Sequence, residues 1–176
     1  MNEKPEGSLS FHRFIRQHPL TAFSEYTQIQ VSTLQRLATR IELGLDAAMA
    51  EGRVDAVAFN NCYGLLWLWV LAAYEVTRTM TQARDCFSEE LAEQLAALKS
   101  KVSLLRMPFA KQEMPGKKKP IEAEASIYGI DIDSCDISFR IKDTVVSARN
   151  VITDFRAIVE NIKPGDILHD HRWSYT

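Results

Sequence analysis

Two pairs of charged residues have the types and spacing to do chemistry, and each pair lies where a long helix is predicted to end. Glu75 and Arg78 close the second of three long helices, and Arg106 and Lys111 close the third. The first pair could form a polar site in an apolar interface, and the second could hold a phosphate group. In an up-down bundle the two pairs lie at opposite ends, so we expect any contact between them to be across a dimer.

Each pair also has a structural interpretation, which the sequence favours. The dipole of a helix favours cations near its C-terminus, which accounts for Arg106 and Lys111. A charge beside a long apolar run needs a partner, and Glu75 and Arg78 are three residues apart on one helix face. Pairing between them would fix the register of that helix.

The three long helices, with these ends, resemble the helical HEPN superfamily. The second helix ends in Tyr74-Glu75-x-x-Arg78, and the third closes on Arg106 with the basic Lys111 shortly after it. Members of that superfamily are helical bundles, often dimeric. Many of them cleave RNA without a metal, through an Arg-x(4-6)-His motif. Only Arg106 matches that motif here, because Lys111 stands where the histidine would fall.

The missing histidine limits the chemistry that the resemblance implies. An imidazole with a pKa of about 6.5 can accept and donate a proton at neutral pH, whereas a lysine with a pKa of about 10.4 stays a cation. The resemblance, which covers residues 21–111, therefore implies a non-catalytic member. The alternative function is RNA binding, or metal-independent RNA cleavage, through Arg106 and Lys111.

Three further patterns could be taken for binding sites, but each has a simpler explanation. Asp131, Asp133 and Asp136 are oxygen ligands of the kind that Mg²⁺ and Ca²⁺ prefer, yet aspartates are also common in turns. His169–His171 is a short chelating pattern without further ligands at a defined spacing. Lys117–Lys119 is typical of a solvated basic loop. We expect no metal site and no cofactor.

Hydrophobic spacing places these residues on a small number of elements. A first long helix is predicted from Thr21, its N-cap, to about Ala50. A second runs from about Ala56 to Ala83, and a third begins at Asp85 or Ser88 and ends within a turn of Pro108. The sequence thus predicts an antiparallel bundle of three long helices.

The rest of the chain alternates at period two and then returns to helical spacing. Two strands flank a turn at Asp133–Asp136, with a third short strand at Thr144–Val146, and Ser147 is the predicted N-cap of a last helix. We expect residues 126–162 to form a ββα unit appended to the bundle. The predicted domain spans 21–165, with an arm at 1–20 and a tail at 166–176.

The uncharged run Cys62–Tyr74 in the second helix is apolar on every side, which predicts a helix enclosed by its neighbours. Trp67 and Trp69 lie about 200° apart on it and must therefore pack against different neighbours. The other predicted helices have one apolar stripe each, so the area that they offer to cover this helix is limited. We therefore expect a dimer contact through Trp67 or Trp69, or a contact with another protein.

The bulk composition describes an ordinary globular domain. The chain has 176 residues, of which 46% are hydrophobic, and a net charge of -2, so it has no overall attraction to nucleic acid or anionic membrane. The run Cys62–Tyr74 is shorter than the roughly 20 residues that span a bilayer, and the N-terminus does not resemble a signal peptide. We expect a cytoplasmic protein that does not enter a membrane. The spacing of its three cysteines indicates neither a disulfide framework nor a zinc site, so we expect free thiols.

Overall fold

The computed structural model describes residues 14–111, 127–141 and 143–171, and the structural statements below concern those residues. The fold is mainly α, as the sequence predicts, with three long helices, a small antiparallel sheet and a last helix. In chain order the elements are α1 (Glu25–Ala48), α2 (Ala56–Gln82), α3 (Glu89–Lys111), β1 (Gly129–Asp131), β2 (Asp136–Ile141), β3 (Thr144–Ser147) and α4 (Ala148–Asn161).

Polar side chains cap the N-termini of the first two long helices. The Ser24 hydroxyl caps α1 by accepting a hydrogen bond from the Thr27 N–H at 3.3 Å. Asp55 caps α2, as its position in the sequence predicts. The prediction that Thr21 caps the first helix is wrong, because Pro19–Ala22 forms a separate 3-10 turn before it.

Helix α2 lies between α1 and α3, and its two indoles hold it to both neighbours. Trp69 Nε1 donates a hydrogen bond to the Leu34 carbonyl on α1 at 3.0 Å. Trp67 Nε1 donates to the Phe109 carbonyl on α3 at 2.8 Å. The prediction that the two tryptophans pack against different neighbours is therefore confirmed.

The sheet has the order β1-β2-β3, with both pairs antiparallel. The predicted hairpin, its third strand and the Ser147 cap of the last helix are all confirmed, and the Ser147 hydroxyl accepts from the Asn150 N–H at 3.1 Å. One face of the sheet is buried through Ile137, Phe139 and Ile141. That face and α4 join the bundle in a single hydrophobic core.

The sheet and α4 cover only one side of α2. The Phe155 ring of α4 meets the Trp69 ring edge-on at 5.4 Å, on the buried side of α2. The opposite side of α2 faces solvent, so the prediction that this helix is enclosed all round is wrong. Its most exposed apolar side chains are Val57 at 73%, Leu68 at 49% and Trp67 at 40%.

By length and composition alone, α2 could cross a membrane: it has 27 residues, and its most apolar window has a mean hydropathy of 1.4. A central helix of a bundle meets the same criterion. Here α2 buries Leu66, Trp69 and Val70 against the rest of the fold. About a third of that window is buried within the chain.

Both ends of the described chain pack against the bundle. Residues 166–171 do not form a separate tail, because the Leu168 N–H donates to the Cys86 carbonyl and the His171 N–H to the Phe23 carbonyl, both at 2.8 Å. The predicted boundary at residue 165 therefore lies too early. At the other end Leu20 is 2% exposed, so the end of the predicted arm is part of the core. Residues 1–13 lie outside the described residues.

Candidate functional site

Arg106 meets α2 at Tyr74, within one chain. The guanidinium carbon of Arg106 lies 5.0 Å from the centre of the Tyr74 ring, a cation-π contact. Our expectation of contact only across a dimer is therefore wrong for this pair. Tyr74 lies well before the end of α2 at Gln82, and the antiparallel course of α3 brings the last turns of α3 back to that level.

Glu75 and Arg78 form the ion pair that their spacing predicts. Arg78 Nε donates to Glu75 Oε2 at 2.8 Å, and Arg78 Nη1 donates to Gln82 Oε1 at 2.9 Å. Both side chains remain about half exposed. Within the described part of the chain, no hydrogen bond or ion pair links them to Arg106 or to the exposed Lys111. The four residues therefore do not converge on one polar site.

Arg106 contacts α2 from the last turns of its own helix. Its side chain is half-buried between the Tyr74 ring and the Met107 sulfur, 3.4 Å from Nη1. Lys111 lies at the end of α3, with its side chain in solvent. Lys117–Lys119 lie outside the described residues.

The chain matches no known family model, no curated protein and no solved structure. The resemblance to the HEPN superfamily therefore stays a prediction. Any function has to be argued from the surface of this chain itself.

Two of the three aspartates of the hairpin, Asp131 and Asp136, accept hydrogen bonds within the fold. The Asp131 carboxylate accepts hydrogen bonds from the Asp133 and Ser134 N–H groups, and the bonds from Ser134 lower the pKa of Asp131. Asp136 accepts from the Ser147 hydroxyl. Among the described residues, no three histidine, cysteine or acidic side chains come together to hold a metal ion.

Sequence reasoning missed a polar network that fastens α4 to α1. Arg149 Nη2 donates to Asp46 Oδ1 at 2.5 Å, and Arg149 Nε donates to the Cys135 carbonyl at 2.8 Å. One turn earlier on α1, Glu42 receives two hydrogen bonds from Arg156, at 2.8 and 3.2 Å. Those bonds raise the pKa of Arg156. The sequence does contain a signal for this network. Glu42 and Asp46 are four residues apart, and Arg149 and Arg156 are seven apart, so each pair lies on one face of its helix.

Cys62 is buried beneath this network. Its thiol donates to the Ile41 carbonyl at 3.1 Å, and burial raises the pKa of Cys62 to about 11. A thiol with so high a pKa is not a nucleophile at neutral pH. Cys62 and its neighbours thus form part of the packing between α1 and α2.

The cleft between the start of α3 and the end of α4 is small. Its volume is about 170 Å³, and Glu90, Gln94, Asn161 and Lys163 are among the side chains that line it. Ligand pockets usually enclose about 300–1,000 Å³. The cleft also lies about 24 Å along α3 from Arg106, so it does not extend the predicted site.

The largest feature left is the exposed side of α2, which we call the α2 stripe. Its apolar members are Val57, Gly64, Trp67, Leu68, Leu71 and Ala72, and the exposed Asn60 and Asn61 lie on the same side between Val57 and Gly64. No charged residue occurs on α2 before Glu75. Trp69, the other predicted interface residue, has no exposed surface and is unavailable to a partner. The interface prediction therefore stands on Trp67 and on neighbours that the sequence did not single out.

Proposed function

We propose that this protein is a non-catalytic interaction module that forms a homodimer through the α2 stripe. The observation that carries the proposal is the exposure of Leu68 and Trp67, at 49% and 40%, in the part of α2 that has no charged residue. Scattered exposed apolar residues are ordinary on protein surfaces, but Trp67 and Leu68 lie beside Leu71 and Ala72 on one side of the central helix, with no charged residue between them.

The energetics favour covering this strip. Burial of apolar surface contributes about 25 cal/mol per Å². Trp67 is fixed by its hydrogen bond to the Phe109 carbonyl. A partner therefore meets an indole that has already lost its rotamer freedom, which lowers the entropic cost of binding.

The arrangement of the polar candidates supports a non-catalytic protein. Arg106 is engaged by the Tyr74 ring, and the position of the expected histidine carries Lys111. A lysine in solvent is a poor general base at neutral pH. The small cleft at the other end of α3 lies far from both cations.

RNA binding of the HEPN type remains the second candidate. It is favoured by the position of Lys111, an exposed cation that follows Arg106 at the same helix end. Labelled RNA incubated without metal with the wild type and with Arg106→Ala tests it. Binding by the wild type and its loss in the variant would favour this function, whereas equal absence of binding would remove it.

The homodimer is tested by the mass of the full chain in solution, measured by light scattering over a concentration series. We expect a dimer for the wild type. Leu68→Glu should weaken the dimer by about a hundredfold, because a carboxylate at the centre of the interface would be buried without a partner. Leu43→Glu is the matched control, since Leu43 is 64% exposed on α1. A monomeric wild type, or equal loss in both variants, would contradict the proposal.

A further inference from the structure

We propose that residues 164–171, which we call the strap, form a movable cover over one end of the bundle. The strap follows α4 and lies across the two links that lead into α1 and α3. It opens as one unit while the helices stay folded. In the open form the protein presents an apolar surface that the closed form seals. This inference does not depend on the homodimer.

Backbone contacts of the kind found in a sheet hold the strap closed. The Leu168 N–H donates to the Cys86 carbonyl at 2.8 Å, and Ile167 forms an antiparallel bridge with Phe87. The last residue of the strap is bonded through its N–H to the link before α1. The strap is therefore attached to the bundle as an edge strand is attached to its neighbour.

The aliphatic side chains of the strap are not part of the deep core. Leu168 is 55% exposed and Ile167 is half-buried. The preceding helix, α4, instead buries Val151, Ile152 and Phe155 almost completely. A segment with few buried apolar side chains opens at a lower free energy than the core. The strap should therefore open before α4 leaves the bundle.

The turn between α4 and the strap can serve as the hinge. Lys163, Pro164 and Gly165 are all exposed, and a Cβ at Gly165 would meet no heavy atom within 4 Å. Ile162, immediately before them, is 6% exposed and belongs to the core. Hinges are short segments whose backbone angles absorb a movement. Rotation at this turn moves the strap and leaves Ile162 in place.

Opening uncovers three side chains that the closed form seals. Cys86 has no exposed surface, and Phe23 and Phe87 are 2% and 3% exposed. The Cys86 thiol donates to the Asp170 carbonyl of the strap at 3.3 Å. The Phe23 ring lies 4.6 Å from the Phe87 ring and 4.8 Å from the His171 ring of the strap. Because the strap contacts both the thiol and the Phe23 ring, its departure leaves an apolar surface at this end of the bundle.

Thiol labelling of the full chain tests the movement, because Cys86 lies beneath the strap whereas Cys62 lies in the core at 2% exposure. The half-exposed Cys135 is first replaced, as Cys135→Ser. Labelling of the two remaining thiols by iodoacetamide is then followed by mass spectrometry, and each rate is divided by the rate of the same thiol in the unfolded protein. Under native conditions, we expect the corrected rate of Cys86 to exceed that of Cys62 at least about tenfold.

Two neighbouring substitutions show whether the strap controls access to Cys86. Ile167→Ala removes a half-buried side chain of the strap and should raise the labelling rate of Cys86 by about tenfold. Leu168→Ala is the matched control, since Leu168 is more exposed, and should change that rate by less than about threefold. Neither substitution should change the rate of Cys62.

Each outcome bears on the strap itself. A selective response of Cys86 to Ile167→Ala supports the proposal. A Cys86 rate no greater than that of Cys62 would overturn it, because the strap would then open only when the whole protein unfolds. An equal response to both alanine substitutions would also overturn it, since the reagent would then reach the thiol without movement of the strap. So would an Ile167→Ala protein in which both thiols react faster to the same extent.

Discussion

The indole of Trp67 spans from α2 to the last turn of α3, where its Nε1 donates to the Phe109 carbonyl at 2.8 Å. That carbonyl directly follows Pro108, which lies inside α3. The same tryptophan thus ties two helices together on one edge and exposes 40% of its surface on the other. Its structural role and its proposed role in the interface can be separated experimentally.

Trp67→Phe keeps an aromatic ring and removes the N–H donor. We expect the free energy of unfolding to fall by about 0.5–1.5 kcal/mol, because the half-exposed Phe109 carbonyl can still be reached by water. Trp69→Phe is the matched comparison, since its buried Nε1 bonds the Leu34 carbonyl at 3.0 Å. There we expect a loss of about 2–4 kcal/mol, because a buried hydrogen bond is lost and a cavity remains in the core. Urea unfolding measures both, and equal losses would contradict this account.

The elements of this fold could be predicted because their signals are local. Alternation at period two found the hairpin and its third strand, and Ser147 signalled the start of α4. The registers between helices could not be predicted in the same way. The bounds of both helices were predicted to within about a turn, but whether Arg106 reaches Tyr74 depends on how the two helices align side by side, which the pattern along each helix does not give.

The exposed side of α2 illustrates a second limit. Composition shows that the run Cys62–Tyr74 lacks charge, but it cannot say which side the other elements leave open. The side that stays open depends on where α4 packs. The position of α4 depends in turn on contacts between residues more than a hundred positions apart, such as Glu42 with Arg156. A pattern read along one element contains no information on such contacts.

The Glu42–Arg156 pair should couple its two residues measurably. Both side chains are mostly buried, at 21% and 28% exposure, and the pair is bidentate. A double-mutant cycle with Glu42→Gln and Arg156→Gln should give a coupling energy of about 1–2 kcal/mol. The control cycle uses the exposed pair Glu51 and Arg53, for which we expect about 0–0.5 kcal/mol. Similar values for the two pairs would show that the buried pair does not fasten α4 to α1.

Gly64→Ala should act in opposite directions on the stability of the subunit and on the dimer. Glycine inside a helix costs about 1 kcal/mol relative to alanine, and a methyl group at Gly64 meets no neighbour within 4 Å. In a Leu68→Glu background, which holds the assembly monomeric, we therefore expect the free energy of unfolding in urea to rise by about 1 kcal/mol.

The same methyl group would stand on the surface of the α2 stripe and hold a second copy away from the helix backbone, so the dimer of Gly64→Ala should dissociate more readily than the wild type. Gly44→Ala is the matched control, since its Cβ would lie 3.2 Å from the Cys62 sulfur. Crowding there should cancel the gain from alanine, with no effect on the dimer. A Gly64→Ala protein that is more stable and equally dimeric would mean that Gly64 is not part of the contact, because the added methyl group would then cost nothing in association.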